Sequence, residues 1–345
     1  MNTGTGAGDF RLDARLAGFG EEIILGPVDT LLSPVILFFA LGAFAALAKS
    51  DLAIPEAMAK SMSLFLMAAI GLKGGVQVSQ AGFSSEMLLT GAVGIGLSFG
   101  LPFIAFAALR GFGRLDGLNA GAVAAHYGSV SVVTFATASE VLTRGGIAPA
   151  GYMVAVLALM ETPAIVSGLL LARGGGKAQQ RAGGHLWREV FLNGSVVLLL
   201  GAFAIGAIVG EAKYAPIAPM FTGLWSGVLC LFLLDMGLVA VRRLRESRAV
   251  TARLAILGIV LPLVNGSIGA LAGAAIGLDT GSAAALSILA ASASYIAVPA
   301  AMRLAMPKAD AGLYLSMSLA ITFPFNIIIG IPLFTALATI LTRML

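Results

Sequence analysis

Ala290-Ala291-Ser292-Ala293-Ser294-Tyr295-Ile296-Ala297-Val298-Pro299 lies in the middle of a long apolar run, and its reading decides the fold. Two serines and a proline interrupt what is otherwise membrane helix. A second interruption stands 163 residues earlier, His126-Tyr127-Gly128-Ser129-Val130-Ser131-Val132-Val133-Thr134. Ser-x-Ser beside glycine, or shortly before proline, loosens a helix: hydroxyls compete for backbone groups, and proline lacks an N–H. At bilayer depth such backbone survives only where it is buried in protein or lines a wet cavity. Paired interruptions at matching places in two halves point to the binding site of a transporter.

The rest of the chain supplies the bilayer segments. Of its 345 residues 59% are hydrophobic and 11% charged, with a mean hydropathy of +0.98. Soluble domains carry about 25% charged residues, so a soluble reading fails. Ten apolar segments, each long enough to cross about 30 Å of hydrocarbon, are predicted at 29–48, 57–80, 86–110, 118–142, 150–172, 188–210, 217–241, 252–277, 281–305 and 311–342. The predicted fold class is an all-α polytopic membrane protein. Residues 1–28 form a polar tail, with a possible interfacial turn around Phe10–Phe19. Residues 29–172 form a first five-helix unit, 173–187 a Gly-rich cytoplasmic linker, and 188–345 a second five-helix unit.

The two units repeat each other. Leu41-Gly-Ala-Phe44 returns as Leu200-Gly-Ala-Phe203, and Ile70-Gly71-Leu72 returns as Met236-Gly237-Leu238. The Ser129/Ser131 break corresponds to Ser292/Ser294, and Thr162-Pro163 to Phe323-Pro324. An odd number of spans per unit forces the second to insert upside down. The expectation is a 5+5 inverted repeat whose broken fourth and ninth helices meet near the midplane. With the N-terminus outside, 15 of the 21 lysines and arginines fall in inner loops; basic residues favour the cytoplasmic side, so both termini are predicted external.

Opposed broken helices aim the positive ends of helix dipoles at an anion, while freed carbonyls suit a cation. Gly128, Ser129, Ser131, Ser292, Ser294 and Tyr295 are the candidate substrate-binding residues. No lysine or arginine lies in either break, which suits a small, weakly held oxyanion; the bland reading is close helix packing by small residues. His126 and Glu161 are ionisable residues inside spans and candidate coupling groups, though His126 could equally be a neutral histidine satisfied by a carbonyl. Asp235 is expected to pair with the Arg242–Arg245 cluster, Lys73 to snorkel from a helix end, and Asn265 to bond between helices. The net charge of +4 sits in loops, so nucleic acid is not an expected partner, whereas membrane lipid is. The lone Cys230 allows neither a disulfide framework nor a metal cluster. No nucleophile–base or metalloenzyme motif is present, so no enzyme activity, metal centre or resident cofactor is expected.

Several motifs resemble the sodium-dependent bicarbonate permease family known from cyanobacteria. They are Ile54-Pro55-Glu56-Ala57, Ile70-Gly71-Leu72-Lys73-Gly74-Gly75, Ser129–Ser131, Glu161-Thr-Pro163-Ala164, Ala290 through Pro299 with Arg303 and Pro307, and Gly330-Ile-Pro332-Leu333-Phe334. The resemblance implies a homotrimeric carrier in a bacterial inner membrane that imports bicarbonate with Na+ by an elevator motion. It also carries the paired serines over as the bicarbonate site. Tyr295 stands where the resemblance has an aspartate, and one neutral oxygen is a poor ligand for a hard cation. Coupling to sodium, to protons or to nothing therefore stays open, as does transport of another small carboxylate by a proton-coupled carrier or a channel-like facilitator. A small regulatory protein belongs to the resemblance, but the short linker offers it little surface. A receptor with a dead transporter fold is a further alternative.

Overall fold

The computed structural model describes residues 32–82, 84–172, 194–246 and 250–345, and every regular element among them is helical. Helices α1 (Pro34–Leu47), α2 (Glu56–Ala81) and α3 (Ser85–Gly111) precede a short pair, α4 (Gly117–Gly128) and α5 (Val132–Arg144), and then α6 (Met153–Ala172). Beyond the linker follow α7 (Gly194–Tyr214), a π-turn at Pro219–Gly223, α8 (Trp225–Glu246) and α9 (Ala252–Ala275). A second short pair, α10 (Thr280–Ala291) and α11 (Ala297–Ala305), leads into α12 (Ala311–Met344). The predicted tail at 1–28 and linker at 173–187 lie outside the described residues.

Helix occurs in each of the ten predicted segments. Among the described residues six helices (α2, α3, α6, α7, α9 and α12) are long and apolar enough to cross a membrane, α7 with a kink at Gly210, which makes this a multi-pass membrane protein. The short pairs fall below that length for a local reason. A 12-residue helix such as α4 or α10 rises only about 18 Å, little more than half the hydrocarbon thickness.

The prolines within spans are accommodated in different ways. In α6, another helix reaches in beside Pro163: Ser98 of α3 donates its Oγ–H to the Met160 carbonyl at 2.5 Å and accepts the Ala164 N–H at 3.2 Å. One hydroxyl from a neighbouring helix thus bonds to backbone groups on both sides of the proline. In α12, Pro324 is flanked by two π-helical stretches, Ser316–Thr322 and Asn326–Gly330, which keep the helix continuous where a straight α-ladder cannot pass a proline. Phe323-Pro324 is therefore a distortion and not a break.

Packing divides the helices into two groups. The most extensive contacts outside the second group join α2 to α7 and α1 to α8; the others join α3, α4, α6, α9, α10 and α12 among themselves. The α2–α7 pair is close because Gly75 lacks a side chain: a Cβ there would lie 1.9 Å from the Phe203 carbonyl oxygen. Small residues at such crossings drive helix association where lipid removes the hydrophobic incentive. At the end of α1, Arg245 donates to the Ala46 and Leu47 carbonyls at 2.8 and 3.0 Å, and Arg242 donates to the Leu52 carbonyl at 2.8 Å. Against expectation, Asp235 makes no contact ion pair with this cluster and interacts with Arg242 only through its charge at a distance. The arginines serve the orphan carbonyls and negative end of α1 instead, and Asp235 stands seven residues further up α8, about 10 Å along its axis.

Candidate functional site

Each short pair begins with a capping aspartate. Asp116 Oδ1 accepts the Asn119 N–H at 2.9 Å to start α4, and Asp279 Oδ1 accepts the Ser282 N–H at 3.0 Å to start α10. Outside the membrane-spanning stretch, the hydrogen bonds from Asn119 hold the Asp116 carboxyl below the usual carboxylate range. Helix α4 then stops because Ser129 is extended (φ −86°, ψ 170°), and α10 stops because Ser292 is extended (φ −77°, ψ 163°). Ser131 restarts the first pair: its Oγ accepts the Thr134 N–H at 3.2 Å and caps α5. Helix α11 starts without a side-chain cap at Ile296; Ser294 Oγ accepts the Val298 N–H at 3.4 Å.

The two breaks bond directly to each other. The Ser294 N–H donates to the His126 carbonyl at 2.9 Å, and His126 Nδ1–H donates back to the Ser294 carbonyl at 2.5 Å. The Ser131 N–H donates to Ser292 Oγ at 2.9 Å. This fixes His126 as the Nδ1–H tautomer and leaves its buried Nε2 without a partner. The imidazole also stacks on Tyr314, with centroids 4.6 Å apart. His126 is thus satisfied by a carbonyl on one nitrogen and unused on the other.

Neighbouring helices hold the carbonyls freed by the breaks. Asn265 of α9 donates to the Tyr127 carbonyl at 3.0 Å, and Asn326 of α12 donates to the Ala291 carbonyl at 2.9 Å. Asn265 thus makes the interhelical bond expected of it. The Tyr127 hydroxyl meets Thr322 Oγ1 at 2.7 Å, which in turn donates to the Gly258 carbonyl at 2.6 Å. Gly128 is required where α4 crosses α3, since a Cβ would lie 2.3 Å from Pro102 Cγ and 2.8 Å from the Ser98 carbonyl oxygen. Asn326, Thr322, Ser98 and Tyr127 were missed in the sequence reading. A polar residue inside an apolar span is the signal that could have found them, because a buried amide or hydroxyl must bond something.

The four serines divide by the direction of their hydrogen bonds. Ser129 spends its O–H on the Glu161 carbonyl at 3.3 Å, and Ser292 spends its O–H on the Leu289 carbonyl at 2.8 Å. Ser131 and Ser294 only accept in these bonds; Ser294 keeps an O–H to donate, and the Ser131 O–H is within reach of the Tyr295 hydroxyl. The buried Tyr295 hydroxyl has no hydrogen bond of normal geometry and interacts at longer range with the Ser131 side chain, while its ring sits edge-on to Phe323 at 5.3 Å. The amides of Val132 and Val133 at the start of α5, and of Tyr295, Ile296 and Ala297 at the start of α11, make no hydrogen bond to the described residues. Glu161 Oε2, Asn265 Oδ1 and Asn326 Oδ1 are buried acceptors without partners. The crossing therefore offers free donors at two helix starts together with a few free acceptors. Lys73 is not a residue snorkelling from a helix end. It lies eight residues inside α2 and lines a cavity between α2, α5 and α8.

A multi-pass helical membrane protein whose two interrupted helices bond to each other in the interior has the anatomy of a carrier more than of an enzyme. Comparison with family models agrees: residues 34–339 match the Na+-dependent bicarbonate transporter superfamily, and the chain belongs to that superfamily. No curated protein matches the chain.

Proposed function

We propose that the chain is a secondary transporter importing a small anion, bicarbonate first, at the crossing of the two breaks. The observation that carries this is the set of donors there: the Ser294 hydroxyl, the neighbouring Ser131 and Tyr295 hydroxyls, which keep one O–H between them if they bond to each other, and the amides opening α5 and α11. Preorganised amides at helix starts suit an oxyanion, and a site without lysine or arginine binds loosely enough to release it. Ser129, Ser292 and Gly128 shape the backbone around it.

The proposed architecture is a 5+5 inverted repeat, with α4/α5 and α10/α11 as the broken fourth and ninth spans and both termini external. The His126–Ser294 and Ser131–Ser292 bonds support it, because they join the first break directly to the second. The division into two packing groups supports an elevator motion of the α3–α6 and α9–α12 group against α1, α2, α7 and α8. A homotrimer in a bacterial inner membrane follows from the family resemblance. Two coupling ions fit the leftover acceptors: sodium, which the family name carries, and a proton. With Tyr295 in place of a carboxylate, Glu161 is the carboxylate beside the first break, so the proposal assigns coupling to it.

Labelled bicarbonate uptake into proteoliposomes, under an imposed sodium or pH gradient, tests the reading. Saturable uptake is expected, driven by one of the two gradients and abolished by Ser131→Ala combined with Ser294→Ala while the protein stays folded. Undiminished flux in that double variant would remove the crossing as the site. Flux indifferent to both gradients would leave a facilitator.

A further inference from the structure

The cavity beside Lys73 encloses about 230 Å³ between the two packing groups. Lys73 and Gln77 of α2 face it on one side, Phe135, Ser139 and Thr143 of α5 on another, and Trp225 of α8 on a third. Lys73, Gln77 and Thr143 are exposed, so the cavity opens to the surface. Its position at the end of α5 puts the mouth on the face that the basic residues predict to be external.

The register of α5 connects this cavity to the crossing. Ser131, Phe135 and Ser139 follow at four-residue steps along one face of the helix. Ser139 Oγ is buried and without a partner. Phe135 is 1% exposed and lies one turn, about 6 Å, from Ser131. Lining charge favours an anion. Lys73 is the cation among the lining residues and forms no ion pair with the described residues. The one lining carboxylate, Glu140, is occupied by Arg144 Nε at 2.7 Å and by the Ser226 hydroxyl at 2.8 Å.

We infer that this cavity is the outer vestibule of the transport path, where Lys73 captures the small anion and Phe135 separates it from Ser131. The inference rests on the crossing being the substrate site. It assigns to Lys73 a recognition role and to the α2/α5/α8 seam the route of entry, and it makes Ser139 the buried free hydroxyl an entering anion meets before Phe135.

The test begins from a Cys230→Ala background, which removes the one native thiol. Ser139→Cys is expected to react with a membrane-impermeant methanethiosulfonate from the external face only, and more slowly in saturating bicarbonate. Lys73→Gln is expected to raise KM for labelled bicarbonate roughly tenfold, more than it lowers kcat, with Lys73→Arg restoring it, because a charge-assisted contact is lost. A Ser139→Cys protein unreactive from the external face, or a Lys73→Gln protein with unchanged KM, would overturn the vestibule. If the Ser131/Ser294 double variant still transports, the crossing itself is wrong. If wild type transports, the double variant does not and Lys73→Gln behaves as wild type, only the vestibule fails.

Discussion

The first break is three residues long and the second is five. In the first, the chain's own side chains fix the shape: Ser131 caps α5, and Gly128 wedges α4 against Pro102. In the second, α11 has no side-chain cap at Ile296, and Ser294 Oγ accepts the Val298 N–H only at 3.4 Å, while a carbonyl at each break is held from outside alike, by Asn265 and by Asn326. Two stretches that read as copies of one motif are held by different means. The first break carries its own cap where the chain becomes helical again, and the longer second break has none there. A repeated motif thus fixes where backbone is freed, but not what restrains it.

The largest effect that would test this contrast is Gly128→Ala. Its Cβ would meet ring carbons and a backbone oxygen that cannot move aside, so overpacking should cost about 3 kcal/mol or more and remove folded protein from a detergent-solubilised melting assay. The reverse change at the matching end of α10, Ala291→Gly, should cost only about 1 kcal/mol. Equal losses would erase the distinction between the breaks. Next come the supporting amides. Asn326→Ala and Asn265→Ala should each cost about 0.6 to 1.7 kcal/mol of stability, and Asn326→Ala should also weaken anion binding because the second break relies on it. Ser131→Ala should lose about 1 kcal/mol of capping energy, whereas Ser294→Ala should leave the melting temperature nearly unchanged and act on transport alone. A matching thermal loss in both would mean that α11 is capped as firmly as α5.

The smallest effect is a pH dependence outside the bilayer. The Asp116 carboxyl is held below its ordinary value, so its contribution to stability is fully present above the unfolded carboxyl value of about 3.9. It is lost as pH falls through the lower folded value. Melting curves between pH 5 and pH 3 should show a shallow decline that Asp116→Asn abolishes; its exposure keeps the size to a few tenths of a kcal/mol.

Much of the architecture was legible because the bilayer leaves few options: apolar length marks helices, and Ser-x-Ser beside glycine or before proline marks where they open. The ends of α4 and α10 fall at Gly128 and Ala291, next to the quoted serines. The site's coordination was less legible, since hydrogen-bond direction is a tertiary property. Nothing local in Ser129-Val130-Ser131 says that the first hydroxyl donates to Glu161 while the second caps a helix. His126 looked like either a ligand or a satisfied histidine, and its two nitrogens answer differently because Ser294 lies 168 residues away. Asp235 and the arginines misled for a related reason: opposite charges close in sequence are outcompeted when a helix end presents unpaired carbonyls. Lys73 could not be placed from sequence because the seam it faces is formed by helices from both halves.

The reciprocal bonds between His126 and Ser294 bear on how the protein is made. Each break exposes backbone groups that its own half does not satisfy; the partners lie in the other half, synthesised later or earlier by more than 160 residues. If the chain inserts in order, the first break stays unsealed in the membrane until Ser294 arrives. Two fragments severed in the linker should be degraded when expressed singly and rescued when expressed together. The bonds that form the crossing would then also act as the checkpoint of biogenesis.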